Sequence, residues 1–274
     1  MTHRQRDNLS CRLCGGALSE KFSRVILQKH SVQYFQCAGC HSLQTEEPYW
    51  LDEAYAEADF NIDTGALQRN LQLFVICFTV SKIFGVATAL DFGAKDGILC
   101  RFLRDHEINC YAYDKYAKSN YVTDFTVPPT TGIDLVMAFE VMEHFAHPAQ
   151  DFEEIFAFRP KYFLFSTSTY TDQGKDWGYL ATEHGQHVFF YSVAAIYLVA
   201  KKYGYAAIEI GQGVGLFYQP NTPNISNMLV AAQTALNGWI FQAIRSYVLT
   251  MPANGVFKDH DTITSKLHNR LPLV

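Results

Sequence analysis

The sequence has little charge and no concentration of it. Its 22 Lys and Arg stand against 27 Asp and Glu, a net charge of -5, and no basic residues run together. That excludes the positive stripe by which a protein holds a phosphate backbone, so no nucleic-acid partner is expected. Long apolar runs are also lacking. The most hydrophobic stretch, Leu71 to Val80, is interrupted by Gln72 and closed by Lys82. It falls short of the roughly 20 residues that span a bilayer, so no membrane partner is expected either. The opening segment MTHRQRDNLSC has no apolar centre of the kind a secretory signal carries, and a cytoplasmic location is the expectation. Internal repeats and low-complexity segments are missing. What remains is an ordinary globular composition, 274 residues with 49% hydrophobic and 18% charged, enough for one main domain and a small appendage.

Of the seven cysteines, four come in pairs, Cys11 and Cys14 in CRLCGG and Cys37 and Cys40 in CAGCHS. Thiols in a reducing compartment do not persist as disulfides, and two C-x-x-C knuckles about twenty residues apart match the spacing that closes a tetrahedron on zinc. Incidental buried cysteines or a redox C-x-x-C are the alternatives. Four protein ligands leave no open position, so the expected zinc is structural and supplies folding energy that so short a segment lacks.

Further along, the pattern alternates. Strands are expected near Val86 to Asp91, Asn109 to Asp114, Ile133 to Phe139, Tyr162 to Thr167 and Ala206 to Ile210. Helices are expected at Ala66 to Lys82, Ile98 to His106, Pro148 to Phe158, and from a Ser192 cap to Lys202. Alternation of this kind predicts an α/β fold with a doubly wound, mostly parallel sheet. The expected segments are a zinc ribbon over 1–48, a connecting helical segment over 49–84, a ligand-binding α/β domain over 85–225 and a helical extension and tail over 226–274.

In a doubly wound sheet, ligands bind beyond the carboxyl ends of the strands, and LDFGAKDG, residues 90–97, stands at the first strand-to-helix turn. Asp114 ends the next strand, where a carboxylate accepts hydrogen bonds from ribose hydroxyls. A dinucleotide loop reads G-x-G-x-x-G, and the middle glycine is replaced here by Lys95, which disfavours a nicotinamide enzyme. Asp91 would repel a pyrophosphate but can accept from the amino group of a methionine moiety, which favours S-adenosylmethionine. An ordinary turn without a ligand is the alternative, with the whole chain then a catalytically inactive binding module.

LDFGAKDG, YAYDKY, DLVMAFEVMEHFAHP and EHGQHVFFYS together resemble class I S-adenosylmethionine-dependent methyltransferases with a Rossmann-like domain. The likeness is to the zinc-ribbon-bearing bacterial group similar to sugar and polysaccharide-pathway methyltransferases. The resemblance implies a donor loop at Asp91, Gly93, Ala94 and Gly97, a ribose acid at Asp114, an E-x-x-E-H motif at Glu140, Glu143 and His144, and an adenine-contacting acid at Asp124. It also implies a small-molecule acceptor of carbohydrate type.

Methyl transfer aligns a nucleophile behind the sulfonium and often removes its proton, and histidine is the natural base near neutral pH. Two segments offer one. His144 follows a strand, and TEHGQH supplies Glu183, His184 and His187 in a loop that also carries Tyr170, Trp177 and Tyr179, rings suited to stacking on a sugar. His144 alternatively fixes a helix start, and Glu183 with His184 and His187 could form a second metal site, although that spacing is no recognised ligand set. The base is expected in the Glu183 to His187 loop.

Overall fold

A computed structural model describes residues 10–56 and 64–268. The described chain divides into two compact units, one within Met1–Phe60, Phe139–Ala157 and Phe165–Ala207, the other within Asn61–Ala138, Phe158–Leu164 and Ile208–Val274.

The first unit opens with a hairpin, β1 (Leu18–Ile26) and β2 (His30–Cys37), followed by β3 (Leu43–Thr45), and these join β8 (Phe189–Phe190) in a four-stranded sheet. The hairpin turns on Leu27 and Gln28, at φ 51° and 58°, with Lys29 N–H bonding Ile26 C=O at 3.1 Å. Two left-handed residues in a row make the turn that fits strand twist, a place usually held by Asn-Gly. Helices α1 (Leu51–Ala56), α4 (Pro148–Ala157) and α5 (Val193–Lys202) belong here. Ile26, Val32, Tyr34, Leu43, Trp50 and Phe190 are buried together with Tyr170, Leu180 and Val188. The segment expected as a self-contained ribbon thus shares a core with the loop expected to carry the base. Trp50 donates its indole N–H to Gly185 C=O at 2.7 Å. A Cβ on Gly185 would lie 2.4 Å from Ile26 Cγ2, so only glycine lets the histidine loop close on the hairpin.

The second unit carries the body of a six-stranded sheet ordered β5, β4, β6, β7, β10, β9: Asn109–Tyr113, Thr88–Phe92, Leu135–Phe139, Tyr162–Ser166, Val214–Tyr218 and Ala206–Gly211. β4 pairs parallel with both β5 and β6, the latter in the register Ala89↔Leu135 and Asp91↔Met137. The central strands are buried almost throughout, as a sheet covered on both faces requires. β10 was not expected from the sequence. It follows β9 through Gln212 and Gly213, at φ 56° and 72°, a tight antiparallel hairpin on an otherwise parallel sheet.

Helix α2 (Ala66–Phe84) buries Phe74 through Ser81 without a break, which explains its apolar run as core. No helix of the described residues is long and apolar enough to cross a membrane. α3 (Ile98–Asp105) follows the glycine loop. Beyond Ser226, where the sequence reads as one apolar stretch and a polar tail, the structure has α6 (Ile225–Ala235), α7 (Gly238–Val248) and α8 (Gly255–His268). Asp259 of α8 accepts Arg104 Nε and Nη2 at 2.8 and 2.7 Å and Arg101 Nη2 at 2.7 Å. The residues after β10 are therefore an ordered helical extension, bound to α3 by an arginine fork.

Candidate functional site

In the second unit, the β4–α3 loop is held by its own backbone. Gly93 and Ala94 N–H bond Tyr113 C=O at 2.8 and 3.1 Å, and Gly97 N–H bonds Ala94 C=O at 2.8 Å. Gly93 and Gly97 stand at φ 80° and 81°. Both conformations need glycine, and at Gly97 a Cβ would also meet Val122 Cγ2 at 2.5 Å. Lys95 takes φ 47°, so a lysine occupies the left-handed conformation that the missing glycine would have supplied. Its side chain is exposed. The backbone path of a glycine-rich loop is thereby kept, at a local cost of about 1 kcal/mol.

Asp114 lies beside this loop. Its Oδ2 accepts Lys95 N–H at 2.8 Å, and its Oδ1 accepts Tyr116 and Ala117 N–H at 2.8 and 2.7 Å. Asp91, at the end of β4, is buried, and burial followed by the Asp114 charge pushes its carboxyl up to about 7. The structure brings Asp91, Gly93, Ala94, Gly97 and Asp114 to one strand end. Asp124 is exposed in the turn Thr123–Phe125 and makes none of the hydrogen bonds that hold the loop.

In the first unit, the two histidine segments that the sequence separates come together. Glu140 immediately follows β6 at φ 52°, another strained left-handed residue, and its Oε1 accepts Ser166 Oγ–H at 2.6 Å. The Tyr179 hydroxyl lies 3.0 Å from Glu140 Oε2 and 2.6 Å from Glu143 Oε1, with Thr167 Oγ1 at 3.3 Å. Glu143 is fully buried, and burial together with the Glu140 charge raises its carboxyl to about 8. Burial and then the same two carboxylates push the Tyr179 phenol upward.

His187 Nδ1 is 2.7 Å from Tyr179 C=O, so that nitrogen carries the proton and Nε2 is the bare one, 4.0 Å from Glu143 Oε1. Burial lowers the imidazole to about 4, leaving it neutral. The His144 and His187 rings lie 4.8 Å apart, nearly perpendicular, and Tyr55 Oη is 3.4 Å from His144 Nδ1. Glu183 and His184 are exposed, with the His184 ring 5.5 Å from that of His187. Of the rings expected to stack on a ligand, Tyr170 is buried in the core, while Trp177 and Tyr179 are half-buried. The hydroxyl of Tyr179 between two carboxylates has no signature in the sequence, since nothing but the fold brings residue 179 back to 140 and 143.

The four paired cysteines also meet. Cys11 Sγ is 3.6 Å from Cys40 Sγ and Cys14 Sγ is 3.5 Å from Cys37 Sγ. Zn–S bonds of about 2.3 Å set tetrahedral edges near 3.8 Å, so the spacing fits a thiolate site. Gly39 and Cys40 N–H point at Cys37 Sγ, 3.3 and 3.4 Å away. Gly16 is required, because its Cβ would come 2.9 Å from that sulfur.

A family model described as a methyltransferase domain matches residues 64–210, just over half of the chain. The chain belongs to this family. It is a class I S-adenosylmethionine-dependent methyltransferase. No curated protein matches the sequence. Among solved structures, the methyltransferase domain of a bacterial Hen1 (CtHen1-C) is 20% identical over 55% of this chain and 98% of its own, with a TM-score of 0.40. An O-methyltransferase family protein from Burkholderia thailandensis is 15% identical over 61% of this chain and 62% of its own, with a TM-score of 0.44. Magnesium protoporphyrin IX methyltransferase from Synechocystis PCC 6803, with bound SAH, is 11% identical over 61% of this chain and 90% of its own, TM-score 0.37. Likenesses this distant say nothing of the acceptor.

Proposed function

We propose that this methyltransferase transfers its methyl group to a hydroxyl of a small carbohydrate-type acceptor, a sugar, sugar nucleotide or glycan. The observation that carries the reading is the cluster around the Tyr179 hydroxyl, two carboxylates and two imidazoles beside the half-buried rings of Trp177 and Tyr179. Carboxylates and imidazoles accept from hydroxyls, and aromatic faces cover the apolar side of a sugar ring. The donor falls to the other end of the same reading. Asp91 faces the methionine amine, Gly93, Ala94 and Gly97 give close backbone approach, Asp114 takes the ribose hydroxyls, and Asp124 completes the donor's surroundings.

Proton removal from the acceptor is assigned to the Glu143, His144 and His187 cluster, because Glu183 and His184 stand exposed outside it. Cys11, Cys14, Cys37 and Cys40 hold a structural zinc, and the chain works in the cytoplasm with neither nucleic acid nor membrane as partner. The test is a panel of sugar nucleotides and glycans assayed by release of S-adenosylhomocysteine, beside calorimetric titration with S-adenosylhomocysteine. Methylation of one panel member, with His187→Gln about a hundredfold slower at unchanged donor affinity, is expected. Binding of S-adenosylhomocysteine with turnover of no panel member would overturn the reading.

A further inference from the structure

Helices α6 and α7 pack on α2 and on each other, and α7 buries Phe241 and Val248 in doing so. Its opposite side is turned outward. There Trp239 and Tyr247 are 79% and 69% exposed, although rings of this size gain most from leaving water. We propose that this face of α7 binds a second copy of the chain, in a two-fold dimer centred on Ala243. Two observations choose that occupant over others.

The first is spacing. Trp239, Ala243 and Tyr247 follow one another at intervals of four residues, which sets them in one ridge along the helix, and all three are exposed. The small residue stands in the middle, with an aromatic ring about 6 Å along the axis on either side. An isologous contact pairs residue i with j and j with i. A two-fold axis through Ala243 therefore sets Trp239 of each copy against Tyr247 of the other. Alanine at the crossing lets the two helices approach closely, and tryptophan and tyrosine are the residue types on which protein interfaces most depend.

The second is charge. The chain carries a net charge of -5, so two copies repel wherever their acids meet. Residues 211–257 hold no acid, and Arg245 is their one charged residue. Gln242 and Ser246, exposed beside the ridge, are neutral. A face without charge is complementary to itself, and it offers a charged partner no counter-charge. It fits a lipid surface poorly as well, because a helix that lies on a bilayer carries lysines and arginines along its polar side.

The experiment is sedimentation velocity on the purified full chain, from about 1 to 100 µM. A dimer is expected, weakened at least about thirtyfold by Trp239→Ala and by Tyr247→Ala. Ala243→Glu and Ala243→Lys each put like charges on the axis, so each alone should sediment as a monomer and an equimolar mixture of the two should recover the dimer. An effect confined to folding gives no such recovery, and far-UV circular dichroism with thermal denaturation checks that every variant folds. A wild-type chain that stays monomeric, or a dimer that folded variants leave unchanged, would overturn the proposal. Monomeric Ala243 variants that the mixture does not restore would overturn the two-fold at that residue. Flotation of a monomeric wild-type chain with vesicles of phosphatidylcholine and phosphatidylserine, abolished by Trp239→Ala, would give the face to lipid instead.

Discussion

Lys95 and Gly97 sit in one loop and have opposite tolerance for change. The left-handed conformation of Lys95 costs an L-residue about 1 kcal/mol, and the side chain is exposed, so Lys95→Gly removes strain without removing a core contact. Thermal denaturation is expected to show that variant equal to or up to about 1 kcal/mol more stable than the wild type, the gain being trimmed by glycine's larger unfolded-state entropy. Affinity for S-adenosylhomocysteine should hold or rise. Gly97→Ala is expected to lose about 2 kcal/mol or more, because its φ of 81° and the 2.5 Å approach to Val122 Cγ2 allow no Cβ. The sequence shows the lysine as a departure from a glycine pattern. It does not show the compensation, since a backbone angle is a property of the folded loop.

Asp91 gives the same scale a pH dependence. Its folded carboxyl is raised to about 7 from an ordinary 3.8, so between those values the folded chain keeps a proton that the unfolded chain has lost. Stability from this group is complete below pH 3.8 and is lost as pH rises toward 7. The slope is at most about 1.4 kcal/mol per pH unit. Asp91→Asn should flatten it, which denaturant titrations at a series of pH values will register; an unchanged slope would assign the proton to another group.

At the scale of elements, the sequence is most legible where local signals agree. The strand ending at Asp91, the helix capped by Ser192 and the strand from Tyr162 are all present within a residue or two of their expected bounds. Ser192 shows why such a signal is dependable. Its Oγ accepts Ala195 N–H at 3.0 Å, the ordinary cap bond, and donates to Cys40 C=O at 2.5 Å. Losing both bonds, Ser192→Ala should cost about 1 to 3 kcal/mol in chemical denaturation, more than the cap alone. The β1–β2 hairpin was illegible for an equally local reason, since Leu27-Gln28 carries none of the residues that usually announce a left-handed turn. α8 escaped notice because its anchoring is tertiary. Asp259 reads as one more acid in a polar tail until Arg101 and Arg104 are placed opposite it. Asp259→Ala leaves two partly buried guanidiniums without their carboxylate, and a loss of about 3 kcal/mol is expected from equilibrium unfolding.

At the scale of the molecule, the cysteine knuckles and the histidine loop depend on each other. The C-x-x-C spacing was readable as a metal site, yet the sequence gives no sign that the hairpin between the knuckles would fold against residues 170–190. That association rests on Trp50, Tyr34 and Phe190 in one core and on the closeness that Gly185 permits. Zinc bound at the knuckles would therefore stabilise more than the first forty residues. The Cys37→Ser variant is expected to lose the metal and, in hydrogen exchange, to lose protection over β1 to β3 and also at β8 and Val188, whose C=O accepts Arg12 Nη2 at 2.7 Å and Thr45 N–H at 3.1 Å. Strands β4 and β5, which carry the donor loop, belong to the other unit and should keep their protection. Turnover should then fall while S-adenosylhomocysteine still binds, because the chemistry of His187 hangs on the first unit and the donor's carboxylates on the second. Loss of protection confined to residues 10–45, with full turnover, would make the ribbon the separate appendage its spacing suggests and would detach it from the reaction.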